Sequence, residues 1–174
     1  MCTGSTPAAA PQHRRHEIAV GLKLGLGPGL GLFPLGMALG LLAVQSGLPA
    51  WAVPGLSIFG YAGSLEFLMI DMMTAGTGLL TIAVTTLFVN FRHVFYALSF
   101  PLHRVRNPVA RAYATFALTD EAWAMTSGPE VETWSGTRIV SLQAVFHAGW
   151  VASVTVGAVG GGLIPGSIPG LDFA

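Results

Sequence analysis

The chain has 174 residues, of which 52% are hydrophobic and only 9% are charged, whereas ordinary soluble domains carry about 25% charged residues. This composition leaves too few charges to cover a soluble surface and indicates that the bilayer is the solvent. The formal net charge of zero excludes the basic face that a nucleic-acid partner needs, and the single Cys2 excludes an internal disulfide framework and a Cys-based zinc site. No metal or cofactor is predicted.

The amino-terminal stretch MCTGSTPAAAPQHRRHE is rich in Pro and Ala and then basic, so residues 1–17 are predicted to be a disordered tail. Residues 18–174 are predicted to form one transmembrane helical domain. Its first hydrophobic segment, 18–44, contains glycines at four-residue spacing, which lets helices approach closely. Pro28 and Pro34 lie inside this segment and are predicted to kink or break its helix.

Further hydrophobic segments follow at 49–73, 76–100, 113–126 and 139–164. About 20 apolar residues span a bilayer, so all of these except the short segment 113–126 are long enough to cross it. The sequence therefore predicts an all-α polytopic integral membrane protein with about five hydrophobic segments, located in the cell (inner) membrane.

The positions of the arginines conflict with a simple series of crossings. The positive-inside rule places Arg14 and Arg15 in the cytoplasm, and it places the link 101–111, which carries three arginines, there as well. If the first three segments all crossed fully, these two clusters would lie on opposite sides. Segment 49–73 is interrupted by Pro and Gly and is the best candidate for a re-entrant or broken element, which must be buried in protein or line a cavity. The alternative is a weak charge bias with ordinary crossings.

Polar and charged residues cluster inside the third and fourth segments. Asn90, Arg92 and His93 interrupt an apolar run, and Asp120 and Glu121 follow on the next segment. A charge costs roughly 2.5–3.5 kcal/mol near the bilayer centre, and intramembrane charges are functional by default. We therefore predict that these residues bind substrate or relay protons, and that Arg92 pairs with Asp120 or Glu121, with Asp120 favoured for its shorter side chain. The alternative is a structural ion pair that only fixes helix packing.

The stretch YAGSLEF, residues 61–67, is a second candidate site. Its small residues free the backbone or admit a close neighbour, and Glu66 follows directly. Broken helices bind zwitterions through exposed backbone groups in transporters, so Gly63, Ser64 and Glu66 are predicted to bind substrate. The alternative is a packing seam of small residues. On the last segment, His147 is predicted to be a core or lumen residue and Trp150 an interfacial anchor.

Several motifs, taken in order, resemble those of a known family. They are GPGLGLFPLG, YAGSLEF, VNFRHVFYALS, LTDEAWAM and PGLDFA. Together they resemble the AzlC family, the large subunit of branched-chain amino acid exporters of the AzlCD/YgaZH type. The resemblance implies secondary export of branched-chain or related amino acids across the cytoplasmic membrane, coupled to protons, rather than enzymatic activity. It also implies a hetero-oligomer with a small AzlD-like membrane subunit, which the glycine seams of the first and last segments favour because such seams normally meet another helix.

The sequence departs from the family pattern at two places. The family usually has Gln where this chain has Glu66, and an acid there is expected to alter the substrate preference or to add a protonation step. The family also continues past GLDFA with further hydrophobic helices, whereas the sequence ends at Ala174, so the chain is expected to lack them. Two alternatives remain open: a non-transporting structural or regulatory membrane subunit, and an intramembrane enzyme that uses Asp120, Glu121 and His93 as acid–base groups.

Overall fold

The described part of the chain, residues 11–163 of a computed structural model, consists of α-helices joined by short turns and contains no strand. Its α-helices are α1 (Pro11–Gln45), α2 (Val53–Phe59), α3 (Gly63–Thr74), α4 (Leu79–Asn90), α5 (Arg92–Ser99), α6 (Pro108–Phe116), α7 (Asp120–Met125) and α8 (Gly136–Leu163). Three stretches are long and apolar enough to cross a membrane, namely Gln12–Gln45, Leu79–Ser99 and Gly136–Leu163. The prediction of an all-α polytopic membrane protein is confirmed.

Helices α1 and α8 pack side by side and run in the same direction. Gly21 near the start of α1 lies against Arg138 near the start of α8, and Gly40 further along lies against Val154 so closely that an added Cβ atom would clash with its carbonyl oxygen. The glycines of both helices therefore form one seam within the chain, which allows the backbones to touch. They do not by themselves require a partner chain, and that part of the argument from sequence is wrong.

Helix α1 differs from the sequence prediction in two respects. It continues through Pro28 and Pro34, so of the predicted kink or break the break is absent; membrane helices tolerate proline because neighbouring groups can satisfy the backbone atoms that it frees. It also begins at Pro11, so residues 11–17 of the predicted tail are helical, while residues 1–10 lie outside the described part. The buried carboxylate of Glu17 accepts a hydrogen bond of 2.6 Å from Arg138, which fixes these first turns to α8. A helix of 35 residues rises about 52 Å, so α1 extends beyond the hydrocarbon layer of about 30 Å.

Helices α2 and α3 form the first hairpin, which enters the helix bundle from the end at which α1 terminates. Helix α2 runs back toward the middle, where Trp150 Nε1 donates a hydrogen bond of 3.1 Å to Glu66 in the first turn of α3. Helix α3 then returns toward the end at which the hairpin entered, because Ile70 in its second half belongs to one core with Leu39 and Val154, which lie in the later halves of α1 and α8. Segment 49–73 is therefore re-entrant, in agreement with the first of the two alternatives above.

Helices α6 and α7 form a second hairpin that enters from the opposite end. Helices α4 and α5 first cross as one stretch, Leu79–Ser99. Helix α6 then rises beside α8, and Gln143 donates a hydrogen bond of 2.9 Å to the carbonyl of Ala117 at the tip. Helix α7 descends beside α5, where Trp123 Nε1 donates to Ser99 at 2.8 Å. This hairpin was not anticipated, although segment 113–126 is too short to cross.

The two hairpins pack mainly in different cores, although Ala117 at the tip of the second hairpin belongs to the core of the first. Val53 and Ile70 of the first hairpin belong to a core with Leu39 and Val154 of the long helices. The second hairpin packs through Ala114, Ala122 and their neighbours in a separate core with Leu142 and Phe146 of α8. The two cores fix both hairpin tips against the middle of α8.

The two arginine clusters lie at the same end of the molecule. Arg14 of α1 and Arg104 and Arg106 of the link line one cavity between the starts of α1, α6 and α8. The opposite end, at residues 46–52 and 75–78, carries no Lys or Arg. Because the first hairpin does not cross the membrane, both arginine clusters lie on the same side, and the conflict between their positions and a series of full crossings does not arise. The positive-inside rule assigns this basic end to the cytoplasm.

Candidate functional site

The two hairpin tips meet at mid-bundle around a cavity of about 220 Å³, here named the central cavity. Pockets for drug-sized ligands measure about 300–1,000 Å³, so this one suits a smaller molecule. Its wall is formed by Leu32, Leu35, Tyr61, Ala62, Gly63, Ser64, Arg92, His93, Thr119, Asp120, Glu121, Phe146 and Trp150. The hairpin tips and α5 supply its charged groups, whereas α1 and α8 supply apolar and aromatic ones.

Arg92 links both hairpin tips to the spanning stretch. Its Nη1 lies 2.7 Å from Oδ2 of Asp120, and its Nη2 donates a hydrogen bond of 2.9 Å to Oγ of Ser64. The predicted pairing of Arg92 with Asp120 is therefore confirmed. The two charged side chains remain 42% and 41% exposed, so the pair lies in the cavity wall and a ligand can reach both groups.

Hydrogen bonds to the backbone fix the tip of the second hairpin, where α6 ends and α7 begins. Thr119 caps α7 by accepting a hydrogen bond of 3.4 Å from the amide of Ala122, which sets Asp120 and Glu121 in the first helical turn. Buried Gln143 donates to the carbonyls of Ala114 and Ala117, both at 2.9 Å, where α6 ends. Among residues 11–163, Glu121 forms no salt bridge, so it is the acid at this tip that is not held by an arginine.

Glu66 lies behind the cavity rather than in its wall. Its side chain is 1% exposed, and its carboxyl accepts hydrogen bonds from Ser57 Oγ, from Trp150 Nε1 and, at 3.0 Å, from the amide of Ala62. These contacts join α2, α3 and α8 at the point where the first hairpin turns. The prediction that Glu66 contacts substrate does not agree with this placement, because the carboxyl is buried and both of its oxygens already accept hydrogen bonds from protein donors. Its role in this geometry is to hold the turn.

The turn that Glu66 holds presents the start of α3 to the cavity. Tyr61 has φ of +35°, the one positive φ at a non-glycine residue in the described part, and this strained conformation reverses the chain before α3. No side chain caps α3, and Ala62, Gly63 and Ser64 all line the cavity. The first N–H groups of a helix have no partner within it and favour an anion. The polar atoms at this helix start are backbone amides and the hydroxyl of Ser64.

Of Asn90 and His93, only His93 lines the central cavity. His93 is in the wall, with its ring edge-to-face on Tyr96 and its Nδ1 3.0 Å from the carbonyl oxygen of Asn90. Asn90 is outside the wall, and its Oδ1 is buried without a hydrogen-bond partner among the described residues. The structure thus brings together Gly63, Ser64, Arg92, His93, Asp120 and Glu121 of the predicted site and leaves out Glu66 and Asn90.

The apolar side of the cavity was missed in the sequence. Leu32 and Leu35 come from the middle of α1, and Phe146 and Trp150 lie one turn apart on α8. Trp150 is only 6% exposed and bonds to Glu66, so its prediction as an interfacial anchor is wrong. These residues carry no chemical signal that separates them from other apolar residues in a membrane helix; only the four-residue spacing of the two aromatics marks a common face.

Among residues 11–163, no group of three or more His, Cys, Asp or Glu side chains is placed to hold a metal ion. What the cavity offers is an arginine, a helix start, two carboxylates and an apolar wall, all within one small space. The described part of the chain is therefore a polytopic membrane protein in which two re-entrant hairpins meet at a charged cavity.

Comparison with known proteins agrees with this class. The AzlC protein family matches residues 28–164, which is most of the chain. The chain belongs to the AzlC family, and the resemblance drawn from its motifs is confirmed.

Of three similar relatives, two are membrane proteins by name and one is a transport protein. An uncharacterized membrane protein of Helicobacter pylori is 32% identical over 147 residues, which cover 83% of this chain and 64% of the relative. The branched-chain amino acid transport protein AzlC of Bacillus subtilis is 27% identical over 82% of this chain and 57% of its own length. The inner membrane protein YgaZ of Escherichia coli is 27% identical over 92% of this chain and 68% of its own. The chain thus spans a little under two thirds of the first of these relatives, and no solved structure gives a significant match. The predicted membrane location is confirmed.

Proposed function

We propose that the chain moves a branched-chain or related amino acid across the cytoplasmic membrane through the central cavity, in the direction of export. The observation that carries this proposal is the combination of opposite charges and an apolar wall in one cavity of about 220 Å³. A free amino acid has those three parts: a carboxylate, an ammonium group and, in this class, a branched apolar side chain. The name of the Bacillus subtilis relative supports the same substrate class.

The carboxylate of the substrate is placed at the start of α3. Uncapped amides at Gly63 and Ser64 favour an anion, and Arg92 lies within hydrogen-bond distance of Ser64 Oγ, at 2.9 Å. Backbone amides combined with one guanidinium recognise a carboxylate without regard to the rest of the ligand. This end of the site is therefore assigned to the part that all amino acids share.

The ammonium group is placed at the second hairpin tip. Asp120 is already paired with Arg92, whereas Glu121 lines the same cavity and has no salt bridge within residues 11–163. Glu121 is therefore the better acceptor for a second positive charge. The side chain of the substrate then faces Leu32, Leu35 and Phe146, where burial of each CH₂ group contributes about 0.8 kcal/mol.

Proton coupling and a partner subunit complete the proposal. Asp120, Glu121 and His93 lie together in the cavity and are the groups able to exchange a proton with the substrate site. A small AzlD-like membrane subunit is placed beside α4 and α5, since the stretch Leu79–Ser99 has no buried residue within the described part of the chain. Co-purification of the two chains in mild detergent checks the partner separately from transport.

The test is amino acid flux in inside-out membrane vesicles, which expose the basic end. Vesicles that contain the chain and the neighbouring small subunit should accumulate labelled leucine, and an imposed pH gradient should increase the rate. Glu121→Gln should lower this rate by at least about tenfold if a charge pair of about 1.4 kcal/mol is lost. Glu130→Gln, which removes an exposed acid outside the cavity, is the matched control. Equal leucine flux with and without the chain would overturn the proposal and favour a structural role.

A further inference from the structure

A second cavity lies at the basic end and is here named the basic cavity. It measures about 720 Å³ and opens between the starts of α1, α6 and α8. Its wall contains Arg14, Arg104 and Arg106 together with Asn107, and no acidic residue belongs to it. None of the three arginines forms a salt bridge within residues 11–163. A cleft lined by charges of one sign raises the local concentration of the opposite ion.

One layer of side chains separates the basic cavity from the central cavity. Tyr113 lines the basic cavity and Tyr61 lines the central one. Both contact His147, since the hydroxyl of Tyr113 lies 3.2 Å from His147 Nδ1 and the ring centroids of Tyr61 and His147 are 4.3 Å apart. Phe116 packs on the same imidazole, with ring centroids 5.7 Å apart. Side chains from both hairpins therefore pack on the imidazole of His147.

The imidazole of His147 is a polar group at the centre of this layer. Its Nε2 is buried and makes no hydrogen bond of normal geometry among the described residues, although backbone groups of Ser57 and Ile58 lie close to the ring. Buried polar groups in proteins are normally well paired, so a weakly bonded imidazole nitrogen is available to a better partner. A polar molecule that passes between the two cavities would be such a partner.

From these contacts we propose that the basic cavity is a second binding site, selective for the carboxylate of an amino acid. We further propose that Tyr61, Tyr113 and His147 form the barrier through which the substrate passes to the central cavity. The inference rests on the proposed transport function, and it adds the cytoplasmic entry site and the gate. The arginines collect the carboxylate, and the imidazole hydrogen-bonds to the polar groups as the rings separate.

An anionic lipid headgroup is the other ligand that three arginines near a membrane surface attract. The position of Tyr113 favours the amino acid, because this residue belongs both to the wall of the basic cavity and to the barrier. A lipid headgroup bound at the rim of the basic cavity would not need to contact a residue that also contacts His147. The experiments below separate the two ligands.

Binding is tested by cysteine labelling, which does not depend on transport. In a Cys2→Ser background, Thr137→Cys places a thiol in the wall of the basic cavity. A membrane-impermeant maleimide should label it in inside-out vesicles, and millimolar leucine should slow the labelling at least fivefold. Leucinamide, which lacks the carboxylate, should not protect. Protection by anionic lipid in the vesicles, with none by leucine, would overturn the amino acid site.

The arginines are tested by charge removal. The double variant Arg104→Gln and Arg106→Gln should raise the KM for leucine from the basic side about tenfold at low salt, and less at high salt, because electrostatic attraction is screened. Arg111→Gln removes an arginine at the same end that does not line the cavity, and it should leave the KM unchanged. If leucine flux is present but neither the KM nor the protection responds, the entry site is wrong while the transport function stands.

The barrier is tested by access to the central cavity. Ser64→Cys in the Cys2→Ser background should react slowly with the maleimide from the basic side, and Tyr113→Ala should speed this reaction at least tenfold. Val109→Ala, which also shortens a side chain in the wall of the basic cavity on α6, is the control. Equal rates in both variants would overturn the gate. Protection of Thr137→Cys by leucine without any flux would instead retain the site and reject the transport function.

Discussion

Arg92 on α5 and Asp120 on α7 are joined by an ion pair of 2.7 Å that connects a spanning stretch to the tip of a re-entrant hairpin. The same guanidinium reaches Ser64 on the tip of the other hairpin. Three elements that enter the membrane from different ends therefore meet at one side chain.

The first prediction concerns this junction. In a double-mutant cycle, Arg92→Leu and Asp120→Leu should each lower the free energy of unfolding in detergent, and the double variant should lose less than the sum. The coupling should be about 0.5–3 kcal/mol and toward the lower end, because both side chains are partly exposed. The same cycle with Glu121→Leu should be additive. Additivity in both cycles would show that the pair does not hold the tip.

Glu66 provides a second prediction. Glu66→Gln should retain the fold, because the amide oxygen still accepts from Ala62 and Trp150 and the amide nitrogen can donate to Ser57 Oγ. Glu66→Leu leaves these three buried groups without a partner, at about 1–3 kcal/mol each, and should lower stability by about 3 kcal/mol or more. Thermal unfolding of the two variants distinguishes them. Similar melting temperatures would mean that the turn does not depend on this carboxyl.

The glycine seam gives a third prediction, with its control in the same helix. Gly40→Ala should destabilise the protein by about 1–3 kcal/mol, since the added Cβ would clash with the Val154 carbonyl and force α1 from α8. Gly31→Ala should be neutral or stabilising by up to about 1 kcal/mol, because nothing lies within 4 Å of its Cβ position and Ala has the higher helix propensity. Unfolding in detergent measures both. A loss at Gly31 equal to that at Gly40 would contradict the seam.

The tip of the second hairpin gives a fourth prediction. Gln143→Leu removes both hydrogen bonds to the carbonyls of Ala114 and Ala117 and should cost about 2 kcal/mol or more. It should also lower leucine flux, because these bonds set where Asp120 begins α7. Gln45→Leu, which removes one longer bond of 3.3 Å to Gly161, is the control and should have a smaller effect on both measurements. A flux equal to that of the parent protein would show that the tip is positioned by other contacts.

Hydropathy and charge were enough to predict the helical class; they left the re-entrant segment as one of two alternatives, and they limited the partner of Arg92 to Asp120 or Glu121. These features follow from local rules, since a charge in an apolar segment needs a partner and arginines stay on one side of the membrane. Other features depend on contacts between distant residues. From the sequence, Glu66 was predicted to bind substrate. Its three hydrogen-bond donors come from α2, α8 and the turn before α3, and only the fold brings them together.

The order of elements has a consequence for symmetry. Helix α1 crosses once and is followed by a hairpin from its far end; the stretch Leu79–Ser99 then crosses in reverse and is followed by a hairpin from the basic end. The same unit thus occurs twice with opposite orientation, which is the topology of an inverted repeat with a pseudo-twofold axis in the membrane plane. In such an arrangement, exchanging the conformations of the two units converts a state open to one face into a state open to the other. If the chain transports its substrate as proposed, we expect the pathway from the basic cavity through His147 to have a counterpart on the opposite side, formed when the first hairpin adopts the geometry that the second has now.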